Sequence, residues 1–209
     1  MKPIFITGTG TDVGKTIVSA IVTEALQADY WKPVQAGFAD GTDSLLIQQL
    51  ISNKQTVVHK EAFKLKMPAS PHLAAPAEKK IITIKNIMAH LPITKNHLVI
   101  EGAGGLMVPF SETEFTLDLI KKLKARVIVV SKNELGSINH SLLTAAVLRK
   151  EKVDVVGWIF NGQYKNYESD IEQWSGIKKI ASIKQLSKIS KEEIKIEAKK
   201  IRLLLLKFL

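Results

Sequence analysis

Short, nearly unbroken apolar runs alternate along this chain with longer stretches in which apolar positions recur every three or four residues. The first kind predicts buried strands and the second amphipathic helices. "PIFIT" (3–7) reads as a strand, followed by a helix over about 14–28. "YWKPV" (30–34) reads as a second strand closed by the turn "QAG", and a helix is expected near 43–51. The stretch 53–96 is less regular, with short strands, "SPHLAAP" and a helix near 83–90. "HLVIE" (97–101) is a buried strand opening into "GAGG", then come a helix near 116–124 and the strand "RVIVV" (126–130). A helix over 137–149, the strand "VDVVGWIF" (153–160), a weaker strand "KKIASI" (178–183) and a helix over about 190–206 complete the pattern. Strands this apolar, separated by helices, predict a parallel sheet covered on both faces, a three-layer α/β/α arrangement. No linker or internal repeat interrupts residues 1–209, so one domain is expected.

In such sheets ligands bind beyond the carboxyl ends of the strands, and there this chain concentrates its unusual residues. "FITGTGTDVGKT" (5–16) ends a strand in a glycine loop and restarts as a helix. The free N–H groups of such a turn, backed by the helix dipole, form an anion site. Lys15 adds a cation for β- and γ-phosphates, and the Thr16 hydroxyl is placed for Mg²⁺. Gly8 and Gly14 are separated by five residues rather than the usual four. Glu101 ends an apolar strand, where a carboxylate can hold Mg²⁺ or be merely solvated; the glycines after it let backbone approach a ligand. Lys32 interrupts an apolar strand and precedes Pro33, which removes a ladder donor. It is either an edge-strand surface lysine or a second cation for transferred phosphate. Asp43 is an N-cap or a metal ligand. Asn161 follows "VVGWIF", so four strand ends point to one shared site.

Composition removes several alternatives. With no cysteine, thiol nucleophiles, zinc–thiolate sites and disulfides drop out, and a cytoplasmic setting is expected. No apolar run has the length of a membrane span, and "MKPIFITG" lacks the regions of a secretory leader. The formal charge of +10 is lysine charge, since Arg126, Arg149 and Arg202 are the only arginines. Much of it lies after residue 177 and is interleaved with Glu192, Glu193 and Glu197, which reads as a solvated helix face rather than a nucleic-acid surface. The tail "IRLLLLKFL" is expected to be the buried side of the last helix. His59, His72, His90, His97 and His140 show no metal-ligand spacing; all but His140 read as structural or surface residues.

With these motifs placed, the chain resembles the dethiobiotin synthetases over roughly residues 4–165. The resemblance is carried by "TGTGTDVGKT", "WKPVQAG", "GTDSLL", "SPHLAA", "VIEGAGGLMVP", "LGSINHSLLTAAVL" and "VVGWIFN", in that order. It implies a P-loop sheet, a homodimer, and ATP- and Mg²⁺-dependent closure of 7,8-diaminononanoate with CO₂ to dethiobiotin. It also implies roles. Asp12, Val13, Gly14, Lys15, Thr16 and Ile17 hold the phosphates, with Lys15 on the transferred group. Thr16, Asp43 and Glu101 set the metal, Gly102, Ala103 and Gly104 border the nucleotide, and Asn161 reads adenine. Lys32 is catalytic, neutralising carbamate and γ-phosphate as they meet. Thr11 and Ala36 lie beside the diamine, and Gly136, Ser137 and Asn139 receive its carboxylate across the dimer interface.

Four positions depart from that family's pattern. Gly10 stands where aspartate or asparagine is common, and Asp12 where glutamate is. Ala36 replaces a hydroxyl residue, and Ile183-Lys184-Gln185 lacks the proline of a turn beside adenine. The alternative is a P-loop switch of the partitioning or division-site type. Those proteins carry an additional lysine four residues before the loop's second glycine, and that position is Gly10 here.

Overall fold

The computed structural model describes residues 1–209 apart from 163, 165, 166, 185 and 187. Its elements run β1 Ile4–Gly8, α1 Lys15–Leu26, β2 Asp29–Trp31, β3 Val34–Ala36, α2 Asp43–Leu50, β4 Val58–His59, β5 Phe63–Leu65, α3 Pro71–Ala77 and α4 Ile84–Met88. They continue with β6 Leu98–Gly105, α5 Thr116–Leu123, β7 Arg126–Lys132, α6 Ser137–Lys150, β8 Val155–Asn161, α7 Glu168–Ser175, β9 Lys179–Ile183 and α8 Lys191–Phe208. Seven strands form one sheet in the order β4-β2-β6-β1-β7-β8-β9, and every pairing is parallel.

Alternate side chains of each central strand enter different cores, as the period-two geometry of a strand requires. Ile4, Ile6, Ile128 and Val130 pack on one face with Ile21 of α1, Ile47 of α2 and Ile201 of α8. Phe5, Val127, Val129, Trp158 and Phe160 pack on the other with Ala74 of α3, Ile87 of α4, Leu119 of α5, Leu148 of α6 and Ile171 of α7. Strands buried on both faces have no polar side to display, which is why they read as unbroken apolar runs.

The structure revises the expected pattern in four places. The strand expected over 30–34 is two strands: β2 stays in the main sheet, whereas β3 pairs with β5 in a separate two-stranded sheet. The break falls at Lys32-Pro33, where Pro33 has no N–H to donate and its carbonyl accepts from Phe63 N–H at 3.0 Å. β2 lies between β4 and β6, so Lys32 does not follow an edge strand. β6 continues through "GAGG", expected as a loop, to pair Gly105 with Gly8. α7 was not foreseen; it is short, and Ile171 is its fully buried apolar anchor. In α8, Ile201 and Leu205 are buried as expected, but Leu203 and Leu206 face outward. Of the late turn Ile183-Lys184-Gln185, Gln185 lies outside the described residues.

Ile128, fully buried at the centre of the sheet, reports on this packing. Ile128→Ala should lower the unfolding free energy by about 2–5 kcal/mol. Ile93→Ala, at a fully exposed position, should stay within about 0.5 kcal/mol of the wild type. Urea denaturation of the three proteins makes the comparison.

Candidate active site

Three of the four strand ends flagged in the sequence open on one cleft of about 800 Å³. Thr11, Asp12, Gly14, Lys15, Thr16 and Ile17 line it from the β1–α1 turn, Lys32 and Ala36 from the β2–β3 region, and Glu101, Ala103 and Gly104 from β6. Asp43, first residue of α2, completes the set.

At its base three oxygens converge. Thr16 Oγ1 lies 2.9 Å from Glu101 Oε1 and 3.1 Å from Asp43 Oδ1. A hydroxyl has one proton, so it cannot donate fully to both carboxylates. The Lys32 ammonium supplies what is missing, donating to Glu101 Oε1 at 3.0 Å and pairing with Asp43. Burial alone would lower the Lys32 pKa, but Glu101 and Asp43 outweigh it and raise it. Lys32 is therefore a buried, protonated lysine, which removes the surface-residue alternative. Tyr30 donates from its phenol to Glu101 Oε2 at 2.9 Å; burial and then Glu101 push its pKa far up, so it stays a donor.

The Asp43 question also resolves. Thr42 is the N-cap, its hydroxyl accepting from Leu45 N–H at 3.2 Å, so the Asp43 carboxylate is free to face Thr16 and Lys32. Gln35 fixes its backbone: Gln35 Oε1 accepts from Asp43 N–H at 3.1 Å, while Gln35 Nε2 donates to the Gly37 carbonyl at 2.8 Å.

The phosphate loop is shaped from behind. Gly14 has φ +91°, and a Cβ there would come 2.1 Å from Asn161 Nδ2, so the position requires glycine. Asn161 donates to the Val13 carbonyl at 3.1 Å, tying the end of β8 to the loop. Lys15 donates to the Gly10 carbonyl at 2.7 Å. Burial pushes its pKa down to about 8; the nearby Lys32 charge adds to this, and Glu101, Asp12 and Asp43 oppose it.

Not every expected residue lies on the cleft wall. Val13 and Gly102 stand behind it, Gly102 against the Phe5 ring, and Asn161 supports the loop. Gly136, Ser137 and Asn139 sit at the start of α6, outside the cleft lining among the described residues. There Ser137 is buried and Asn139 exposed. Tyr30 and Gln35 escaped the sequence reading. Gln35 at least lay inside a quoted motif, whereas nothing local marks a strand tyrosine as a partner for Glu101.

The oxygens of Thr16, Asp43 and Glu101 suit a small hard cation. Mg²⁺ is commonly held by one or two carboxylates together with substrate phosphates, and two carboxylates and a hydroxyl beside a phosphate loop are such a set.

A family model described as an AAA domain matches residues 2–193. The chain is 46% identical over 202 residues to an ATP-dependent dethiobiotin synthetase of Christiangramia forsetii, covering 96% of each chain. It is 47% identical over 204 residues to one of Cytophaga hutchinsonii, covering 96% of this chain and 97% of that one. The chain belongs to the ATP-dependent dethiobiotin synthetase family. Membership makes it an ATP-using ligase. Among solved structures it resembles a plasmid partition protein from Borrelia burgdorferi, with TM-score 0.58 and 16% identity over 100% of this chain and 98% of that one. It also resembles a ParA family ATPase from Chlorobium tepidum, with TM-score 0.55 and 15% identity over 99% and 91%. Those two likenesses concern the fold alone.

The depressed Lys15 pKa gives a proton signature for nucleotide binding. Near pH 8.5, above the Lys15 value of about 8, most free protein carries neutral Lys15, and a bound triphosphate favours the ammonium. Binding of a non-hydrolysable ATP analogue should then take up about half a proton or more, falling towards zero near pH 6.5. Calorimetry in buffers of different ionisation enthalpy reads the uptake, and Lys15→Met should remove the rise in uptake towards about pH 8.5, leaving only the ligand's own phosphate titration.

Proposed function

We infer that this protein catalyses Mg²⁺-dependent formation of dethiobiotin from 7,8-diaminononanoate, CO₂ and ATP, releasing ADP and phosphate. One observation carries the reading beyond family membership. A buried lysine is held protonated by two carboxylates beside the phosphate loop, so a second cation is available where a phosphoryl group would be transferred.

Chemistry explains why ATP is needed. One amine takes up CO₂ and loses a proton, giving a carbamate. A carbamate oxygen is a poor leaving group at neutral pH, and transfer of the γ-phosphoryl group to it supplies a good one. The neighbouring amine then attacks the carbamate carbon, loses its proton and expels phosphate, closing the ureido ring. Both nitrogens belong to one molecule, so ring closure is effectively unimolecular.

In this reading residues Asp12 to Ile17 bind the phosphates and Lys15 follows the transferred group. Lys32 offsets the charge of carbamate and γ-phosphate as they approach. Thr16, Asp43 and Glu101 would hold Mg²⁺, which when bound offsets triphosphate charge. Ala103 and Gly104 border the nucleotide with Gly102 backing them, and Asn161 at the end of β8 would meet the adenine beyond the loop it supports. Thr11 and Ala36 lie beside the diamine. The α6 start at Gly136, Ser137 and Asn139 receives the far carboxylate from the site of a second copy, since backbone N–H groups there suit an anion. The proposal includes a homodimer, one domain and a cytoplasmic setting.

Incubation with ATP, Mg²⁺, bicarbonate and the diamine should yield dethiobiotin by mass spectrometry. ATP turnover indifferent to the diamine and stimulated by DNA or lipid would overturn the reading. The two lysines should also separate. Lys15→Ala should weaken ATP binding about tenfold or more and slow turnover as well. Lys32→Ala should lower kcat by about a hundredfold while ATP affinity, measured by calorimetry, stays within about threefold. Near-normal kcat in Lys32→Ala would remove its catalytic role.

A further inference from the structure

The segment 68–71 forms a wall of the cleft that none of the roles above uses. Together with Ala36 and Val108 it is apolar except at Ser70. Ser70 holds the N-cap position of α3, where a serine hydroxyl ordinarily accepts a helix N–H, yet it makes no such bond. Its Oγ lies instead 3.0 Å from His72 Nδ1. His72 is in turn anchored by its backbone N–H on the Pro109 carbonyl at 3.2 Å. A hydroxyl has one proton and two lone pairs, so in either imidazole tautomer Ser70 keeps a lone pair for another donor.

The polar side chains around Glu101 are already engaged, and Ser70 and Thr11 are the other hydroxyls of the lining. Lys32 and Thr16 both meet Glu101 and Asp43, and Gln35 is spent on backbone. Lys15 and Lys32 cannot accept a hydrogen bond and repel a cation. A substrate amine entering this cleft is an N–H donor that needs an acceptor. A carboxylate would be the wrong one: it favours the ammonium form, which has no lone pair with which to attack CO₂. A hydroxyl accepts the N–H without that penalty.

On this geometry we propose that Ser70 receives a reacting amine of the substrate on an otherwise apolar wall, with His72 as the residue that positions it. The assignment rests on the diamine reading above.

Steady-state kinetics of Ser70→Ala should show KM for diaminononanoate raised about tenfold and KM for ATP within about twofold, as loss of one hydrogen bond predicts. Ser70→Cys, near in size but a weak acceptor, should behave like Ser70→Ala, and Ser70→Thr should stay within about threefold of the wild type. His72→Ala should raise the diamine KM less than Ser70→Ala, and the double variant should be no worse than Ser70→Ala alone, because both changes remove one contact. Unchanged diamine KM in both Ser70→Ala and Ser70→Cys, in a preparation whose wild type makes dethiobiotin, would overturn this inference alone. An equal rise in both KM values would also overturn it, since a disturbed wall rather than a lost amine contact has that effect. A wild type that makes no dethiobiotin would overturn the function and this assignment with it.

Discussion

The organisation of this site depends on the burial of one ammonium group. Lys32 sits away from water beside Glu101, which is itself buried. Either charge alone would cost several kcal/mol to hold there, so each requires the other, with further hydrogen bonds for the remaining valences. Asp43 and Tyr30 provide those bonds, and Thr16 approaches both carboxylates. Four separate segments are thereby drawn to one point: the end of β2, the middle of β6, and the first turns of α1 and α2. Pro33 belongs to the same device. By ending the β2 ladder directly after Lys32, it lets the chain leave the main sheet and pair β3 with β5.

Around that point the remaining features have simple electrostatic consequences. Three basic or acidic partners close together leave Lys15 as the cation with the least compensation. Burial lowers its pKa to about 8, whereas Lys32, held by two carboxylates, moves the other way. The two lysines of one cleft thus differ in character: Lys15 gains its proton most readily with an anion beside it, and Lys32 carries one throughout. The loop that presents Lys15 is kept in shape by Asn161, which reaches across from β8 to the Val13 carbonyl. That contact explains why a glycine stands at position 14 independently of any ligand.

Much of this was legible in the sequence, and for a physical reason. Strands buried on both faces must be apolar throughout, so β1, β6, β7 and β8 announced themselves, and a glycine loop ending in Lys15-Thr16 marked the phosphate site. The local motifs placed Lys32, Asp43 and Glu101 near strand ends but left each with an innocuous alternative, because only tertiary contact shows that they meet. Thr42, not Asp43, caps α2, a difference of one residue that side-chain pattern does not decide. Tyr30 and Ser70 were invisible for the same reason: a strand tyrosine and a helix-cap serine are ordinary until their oxygens are located. The short strands β4 and β5 and the helix α7 have too few residues to show a period. Leu203 and Leu206 on the outer face of α8 show the opposite limit, since an apolar run in a helix faces every direction.

The central claim is that Lys32 and Glu101 are held in the interior by each other. A double-mutant cycle on unfolding free energy tests it most directly, using Lys32→Met, Glu101→Gln and the pair together. Lys32→Met should cost about 3 kcal/mol or more, because it strands the buried Glu101 carboxylate. Glu101→Gln, which leaves Lys32 paired with Asp43 alone, should cost less but clearly more than zero. The double variant should cost at least about 2 kcal/mol less than the sum. Single costs near zero, or a double variant equal to the sum of the two, would contradict the account.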